Sequence, residues 1–307
     1  MTAPPKRRIV DAHMHLFDHK ANRYEFLEQI DPMFQALIGD YSTLPRRYLF
    51  EDYLADQHGT EVAGIVWHEL LSTDPIREVH WAQKMAATLP VPMAIVGLAS
   101  FLAPDLEPTL DAYSECPNVT SVREHLGWDD KNPTRRFAKR PNLLCDARWH
   151  EGLKLLGRYK LKCSLELFSP QLPDLLPVVR ENPATGFTIA VFGWPSSTDQ
   201  DGFARWKQDL AALAACENTH IIISAVECVF GMNWSVAQVQ PWVDTVLDLF
   251  GTDRTMFGSH RPISRLAHNF PSPYTGYERL IAKLSPAEQD AVLRGNAAKW
   301  FFHAPPV

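Results

Sequence analysis

Short apolar, β-branched runs recur along the chain at 9–16, 62–69, 93–100, 120–126, 162–168, 187–193, 220–226 and 255–260, and polar side chains gather at their C-terminal ends. Between them apolar residues recur at helical spacing over 76–88, 147–159, 171–181, 202–215 and 236–250, and a last such stretch at 286–302 follows the eighth run. Strand-length runs alternating with helix-length ones are the pattern of βα units around a parallel sheet. Eight of them in 307 residues predict one domain, 1–307, folded as a single (β/α)8 TIM barrel. A doubly wound open sheet is the runner-up, but it calls for a glycine-rich phosphate turn after the first strand, and none follows residue 16. The stretch 18–50 is long and aromatic-rich, which reads as an elaborated first βα loop.

Charge and cysteine usage narrow the class. A formal net charge of -6 argues against a nucleic-acid or anionic-membrane partner, which would call for a basic surface. No apolar core follows the basic N-terminal residues, and no run is long enough for a membrane span. The five cysteines are scattered and form no Cys-x-x-Cys pair, so a reduced, cytoplasmic protein with free thiols is expected. The expected partner is a small-molecule substrate, and a homo-oligomer is left open.

In a barrel the chemistry sits at the C-terminal ends of the strands. Read in order, these ends offer His13 and His15; His68 and Glu69; Ser100; Arg123 and His125; Glu166; Trp194; Ser224; and His260 and Arg261. Side chains two apart on a strand share a face, so His13 pairs with His15 and Arg123 with His125, while Glu124 turns outward. Asp11 and Asp18 flank the first pair, and either could orient an imidazole. An inward Arg123 suits a carboxylate or a developing oxyanion; its bland alternative is a salt bridge to Glu166. Trp67, Trp128, Phe168 and Trp194 near the exits suggest a pocket for a planar or apolar ligand.

Several segments, taken in order, resemble the amidohydrolase-related family, in the branch of the 2-pyrone-4,6-dicarboxylate lactonase and the fuconolactonases. They are Asp11-Ala12-His13-Met14-His15-Leu16-Phe17-Asp18, the Asp74-Pro75 turn with Glu78 and Trp81, Val122-Arg123-Glu124-His125-Leu126, Arg140-Pro141-Asn142-Leu143, Gln171-Leu172-Pro173, Gly193-Trp194-Pro195, residues 218–224, Phe257-Gly258-Ser259-His260-Arg261-Pro262 and Asn296-Ala297-Ala298. The resemblance implies a (β/α)8 barrel and hydrolysis of a lactone or related ester. It also exposes departures: Ala190 and Val191 stand where the family carries Asp-His, Ile222 where it carries Lys, and His260 where it carries the Asp that takes a proton from water.

Two accounts of the chemistry follow. In one, His13, His15 and His260 form a tris-imidazole site for one divalent metal, zinc or manganese, with an open position for water. In the other no metal is bound, His260 is the general base, and His13, His15 and Arg123 polarise the carbonyl and hold its oxyanion. His68, Glu69, His125, Trp128, Glu166, Trp194 and Arg261 are the expected substrate-binding residues, with Glu166 also able to raise the pKa of a neighbouring imidazole. The leading expectation is a hydrolase opening a small anionic or aromatic lactone. The alternatives are a metal-dependent decarboxylase or hydratase of a small carboxylic acid, and a ligand-binding or repurposed biosynthetic protein that has lost hydrolysis.

Overall fold

A computed structural model describes residues 7–306. Eight parallel strands form one sheet in chain order: β1 (Arg7–Met14), β2 (Thr60–His68), β3 (Met93–Leu98), β4 (Val119–His125), β5 (Lys162–Glu166), β6 (Phe187–Ile189), β7 (Thr219–Ile223) and β8 (Thr255–Phe257). All eight expected strands are present, and the barrel is the expected (β/α)8 fold. Beyond the strand ladder, His260 N donates to His13 O (2.7 Å) and His15 N donates to Arg261 O (2.8 Å), which ties the exit of β8 to the exit of β1.

That seam depends on close approach. A Cβ on Gly258 would lie 2.5 Å from His13 Cβ and 2.6 Å from its backbone nitrogen, so only glycine lets the strand ends meet. Asp11 bridges the same seam. It accepts from Ser259 N (2.8 Å), Tyr53 OH (2.8 Å) and His13 N (3.2 Å), so it orients backbone rather than an imidazole. Asp18 likewise accepts from Lys20 N.

Helices cover the sheet at Pro75–Ala86, Leu106–Ser114, Ala147–Tyr159, Leu172–Glu181, Gln200–Ala214 and Val236–Phe250. Their buried faces, with Ile65, Trp67, Trp149, Leu175 and Trp206, make the larger core. A second cluster joins Val10, Ala12, Val66, Val96, Ile222 and Met256 to Ala298 and Phe301 of the last helix. The expected helix 286–302 is three pieces, Pro286–Asp290, a π-helical turn Ala291–Gly295, and Asn296–Phe301. Within it Asn296 donates to Thr252 O (2.7 Å) and Thr255 O (2.8 Å), anchoring the segment beside β8.

The first βα loop is an ordered cap. It contains a two-residue ribbon pairing Phe17–Asp18 with Arg47–Tyr48 and short helices at Glu25–Glu28, Pro32–Ile38 and Phe50–Ala55. Asp31 caps the second of these by accepting from Met33 N and Phe34 N, and Gly39 ends it at φ 75°.

Candidate active site

Strand alternation sets which groups face the barrel mouth. On β2, Trp67 turns outward, donating to Leu16 O (2.8 Å) and packing on Trp81, while the next residue, His68, turns in. The ring of His68 lies 4.3 Å from that of His13, and Phe301 lies 6.4 Å below it. His13, His15 and His260 sit above, with ring centroids 5.1 to 5.4 Å apart.

In His13, His15 and His260 the Nδ1 nitrogen has a partner, and in His13 Nε2 has one as well. His15 Nδ1–H donates to His68 O (3.0 Å), because a carbonyl only accepts. His13 Nδ1 meets Ser224 Oγ (2.8 Å), and its Nε2 faces Arg123 Nη1 at 3.5 Å, a group that only donates. His260 Nδ1–H donates to Glu227 Oε1 (2.6 Å). The remaining nitrogens of His13 and His15 are therefore lone pairs rather than N–H groups. Burial first, then repulsion from His68, His260 and Arg123, holds His13 well below the ordinary imidazole pKa; burial, then His260 and Arg123, does the same for His15. Both stay neutral near pH 7.

The site fits a metal by its donor chemistry. One ligand atom from each of His13, His15 and His260 lies within 4.8 Å of the others. Their second nitrogens are held by a hydroxyl, a carbonyl and a carboxylate, the outer partners that orient metal-binding histidines. An all-imidazole set suits zinc better than manganese, which prefers carboxylate and water.

Beside the imidazoles lies a four-membered ion network. Arg123 Nε and Nη2 donate to the Glu69 carboxylate and backbone oxygen, and Nη1 donates to Glu166. His125 bridges the same two carboxylates, through Nε2 to Glu69 (2.8 Å) and Nδ1 to Glu166 (3.0 Å). Burial works against the charged form of His125, but Glu166 and then Glu69 overcome it and raise its pKa to about 9. Burial would also raise Glu69 and Glu166, yet Arg123 and His125 hold both carboxyls well below the usual range. The oxyanion role expected for Arg123 thus falls on a guanidinium whose three nitrogens are already engaged. Glu124 points outward as expected and accepts from Trp149 Nε1 (2.7 Å).

A cavity of about 60 Å³ opens onto these groups, small beside the roughly 300–1,000 Å³ of ordinary ligand pockets. Of the expected residues, His15, Arg123, His125, Glu166, Trp194 and His260 line it. His13 is buried against three of its imidazole neighbours, and His68 and Glu69 lie wholly buried beneath the wall. Trp128 and Phe168 instead line a neighbouring groove of about 530 Å³. Arg261 is directed elsewhere, donating to Pro271 O (3.0 Å).

Among the described residues, five of the eight non-glycine residues with positive φ, namely Leu71, Val191, Trp194, Ala225 and His260, line the cavity. Such backbone strain concentrates where function over-determines the structure. Sequence reading missed Glu227, three positions beyond the Ser224 exit, and the capping residues of the first loop. The Asp31-Pro32 start and Gly39 stop were the available signals for that cap.

The model of the family described as Amidohydrolase matches residues 10–302. This chain belongs to the amidohydrolase family. The amidohydrolase is 27% identical over 298 residues to the uncharacterized protein y4mH of Sinorhizobium fredii, covering 95% of this chain and 98% of that one. It is 26% identical over 220 residues to the L-fucono-1,5-lactonase of Burkholderia multivorans, covering 68% and 71%. In fold it is similar to a crystal structure of an amidohydrolase from Burkholderia multivorans with bound zinc, at TM-score 0.76 and 23% identity, covering 95% and 98%. The chain is thus an enzyme of the amidohydrolase superfamily. No helix among the described residues is long and apolar enough to cross a membrane.

Proposed function

We propose that this amidohydrolase opens a lactone or closely related ester, with His260 taking the proton from the attacking water and Glu227 holding the imidazole. The reading is carried by the 2.6 Å contact between His260 Nδ1 and Glu227 Oε1, set in a cavity beside His15. With Nδ1–H given to the carboxylate, Nε2 presents a lone pair, and an imidazole is a better base near neutral pH than an ordinary carboxylate. As water adds to the carbonyl carbon, Nε2 gains its proton and Glu227 stabilises the imidazolium. When the ring C–O bond breaks, Nε2–H returns that proton to the leaving alkoxide, giving a hydroxy acid. The sequence relationship to a fuconolactonase supports this reaction class.

His13 and His15 offer lone pairs, which serve a cation rather than an oxyanion. A zinc-class ion held there would polarise the carbonyl as a Lewis acid. Arg123 and His125, locked between Glu69 and Glu166, position the floor of the cavity. A second reading makes His260 the third metal ligand, and the closeness of the three ligand atoms, all within 4.8 Å of one another, favours it.

Substitution of His260 by Asn separates the two. Under the first reading lactone turnover falls about 100-fold or more while zinc content, measured by elemental analysis, is retained. Under the second, zinc is lost with activity. Unchanged turnover on a panel of lactones would remove His260 from both roles.

A further inference from the structure

The walls of the cavity differ sharply in character from its floor. Phe26 stacks on Phe34 (4.6 Å), Phe34 meets Phe137 (6.1 Å), and Phe137 meets Trp194 (5.7 Å), forming one aromatic chain across the cap. Leu37 and Ile38 extend the same surface. No charged side chain among the described residues interrupts this wall.

The cations on the opposite side are spent. Every nitrogen of Arg123 and both nitrogens of His125 are bonded to Glu69 or Glu166. These four groups cancel in charge, and Glu227 adds a further carboxylate behind His260. Arg261 is turned away to Pro271. Among the described residues that line the cavity, none therefore offers a free guanidinium or ammonium to a substrate carboxylate, and Glu166 stands in the same lining. Burying an unpaired charge is among the largest penalties available to a binding site. A cation at the imidazoles would face the reacting carbonyl and leave the aromatic wall unchanged.

We infer that the site selects an uncharged cyclic ester with an aromatic or alkyl body and discriminates against substrates that carry a carboxylate. The inference rests on the lactone reading above and adds its substrate class. The ester group lies toward His260 and the imidazoles, and the apolar body lies against Phe34, Phe137 and Trp194. Leu37, half-buried on the cap, is a specificity-determining position because it meets the part of the ligand remote from the ester.

The test compares dihydrocoumarin with its 6-carboxylate on the zinc-loaded enzyme. The expected kcat/KM for the neutral lactone is roughly 100-fold the higher, from the cost of an unpaired buried charge. Leu37→Lys is expected to narrow that ratio at least tenfold by supplying a counter-charge, an effect that Leu37→Gln does not reproduce. Equal or better turnover of the carboxylate by the unaltered enzyme overturns the inference. If neither compound is hydrolysed, the lactonase reading fails, and selectivity is then read from melting temperature. A rise with dihydrocoumarin alone sustains the apolar site, whereas a rise with the carboxylate, or with neither, overturns it.

Discussion

Glu227 Oε1 and His260 Nδ1 lie 2.6 Å apart although the residues are 33 positions apart in sequence, and the contact joins the short helix Val226–Phe230 after β7 to the segment that follows β8. Glu227 is buried, so its charge acts on the imidazole with little solvent screening. Glu227→Gln retains an acceptor oxygen and removes the charge. We expect kcat to fall about 100-fold with KM nearly unchanged, because imidazolium stabilisation matters most as the proton moves. A fall in KM affinity without a fall in kcat would place Glu227 in substrate binding instead.

Arg123 is the hub of the buried ion network, and its loss would leave Glu69 and Glu166 with His125 as their remaining cation. Arg123→Leu is expected to cost about 3–5 kcal/mol in urea unfolding, the usual penalty for orphaning a buried charge. Combining it with Glu69→Gln and Glu166→Gln should recover much of that loss. No recovery would mean that packing of the guanidinium, and not charge balance, carries its contribution.

Glu78 is buried beside the cavity floor, and Leu70 N donates to its Oε1 (3.1 Å). Burial first, then the negative charge of Glu69, pushes its pKa up to about 8 from the ordinary 4.5. The folded state keeps this proton where the unfolded state has released it, so its contribution to stability declines as pH rises from about 4.5 to about 8 and levels off above. Glu78→Gln has no proton to lose. Its melting temperature relative to the unaltered protein should therefore climb across that window, and a constant difference would refute the assignment.

Gly258 packs against the backbone of His13 at the barrel seam. Gly258→Ala places a methyl group 2.5 Å from His13 Cβ, and neither strand end can yield without moving the imidazole. Destabilisation of roughly 1–3 kcal/mol is expected, as for overpacking generally. Loss of zinc binding and of turnover should exceed what that destabilisation explains. Full retention of zinc affinity would show that the seam can relax without displacing His13.

The strands were legible because their signal is local. A period of two and β-branched runs bounded by turns locate each strand without knowledge of its neighbours, so the barrel, the inward His13 and the outward Glu124 follow from spacing. The same rule misled at Trp67, read as lining the pocket. Once His68 faces inward, alternation sends Trp67 to the helix layer. Trp128 and Phe168 were near strand exits yet belong to the adjacent groove, since loop residues carry no period to aim them.

By itself the sequence determined the fold, the end of the barrel where polar side chains gather and the histidines among them, because periodicity and strand order are properties of neighbouring residues. Only the tertiary structure decided the partners: Glu227 for His260, Ser224 for His13, and Glu69 with Glu166 around Arg123 and His125. His13 and Ser224 are 211 positions apart, and no local pattern encodes a contact that barrel closure creates. Those partners fix which imidazole nitrogens present lone pairs and which cations are neutralised, and so turn a cluster of polar exits into a site with a defined chemistry.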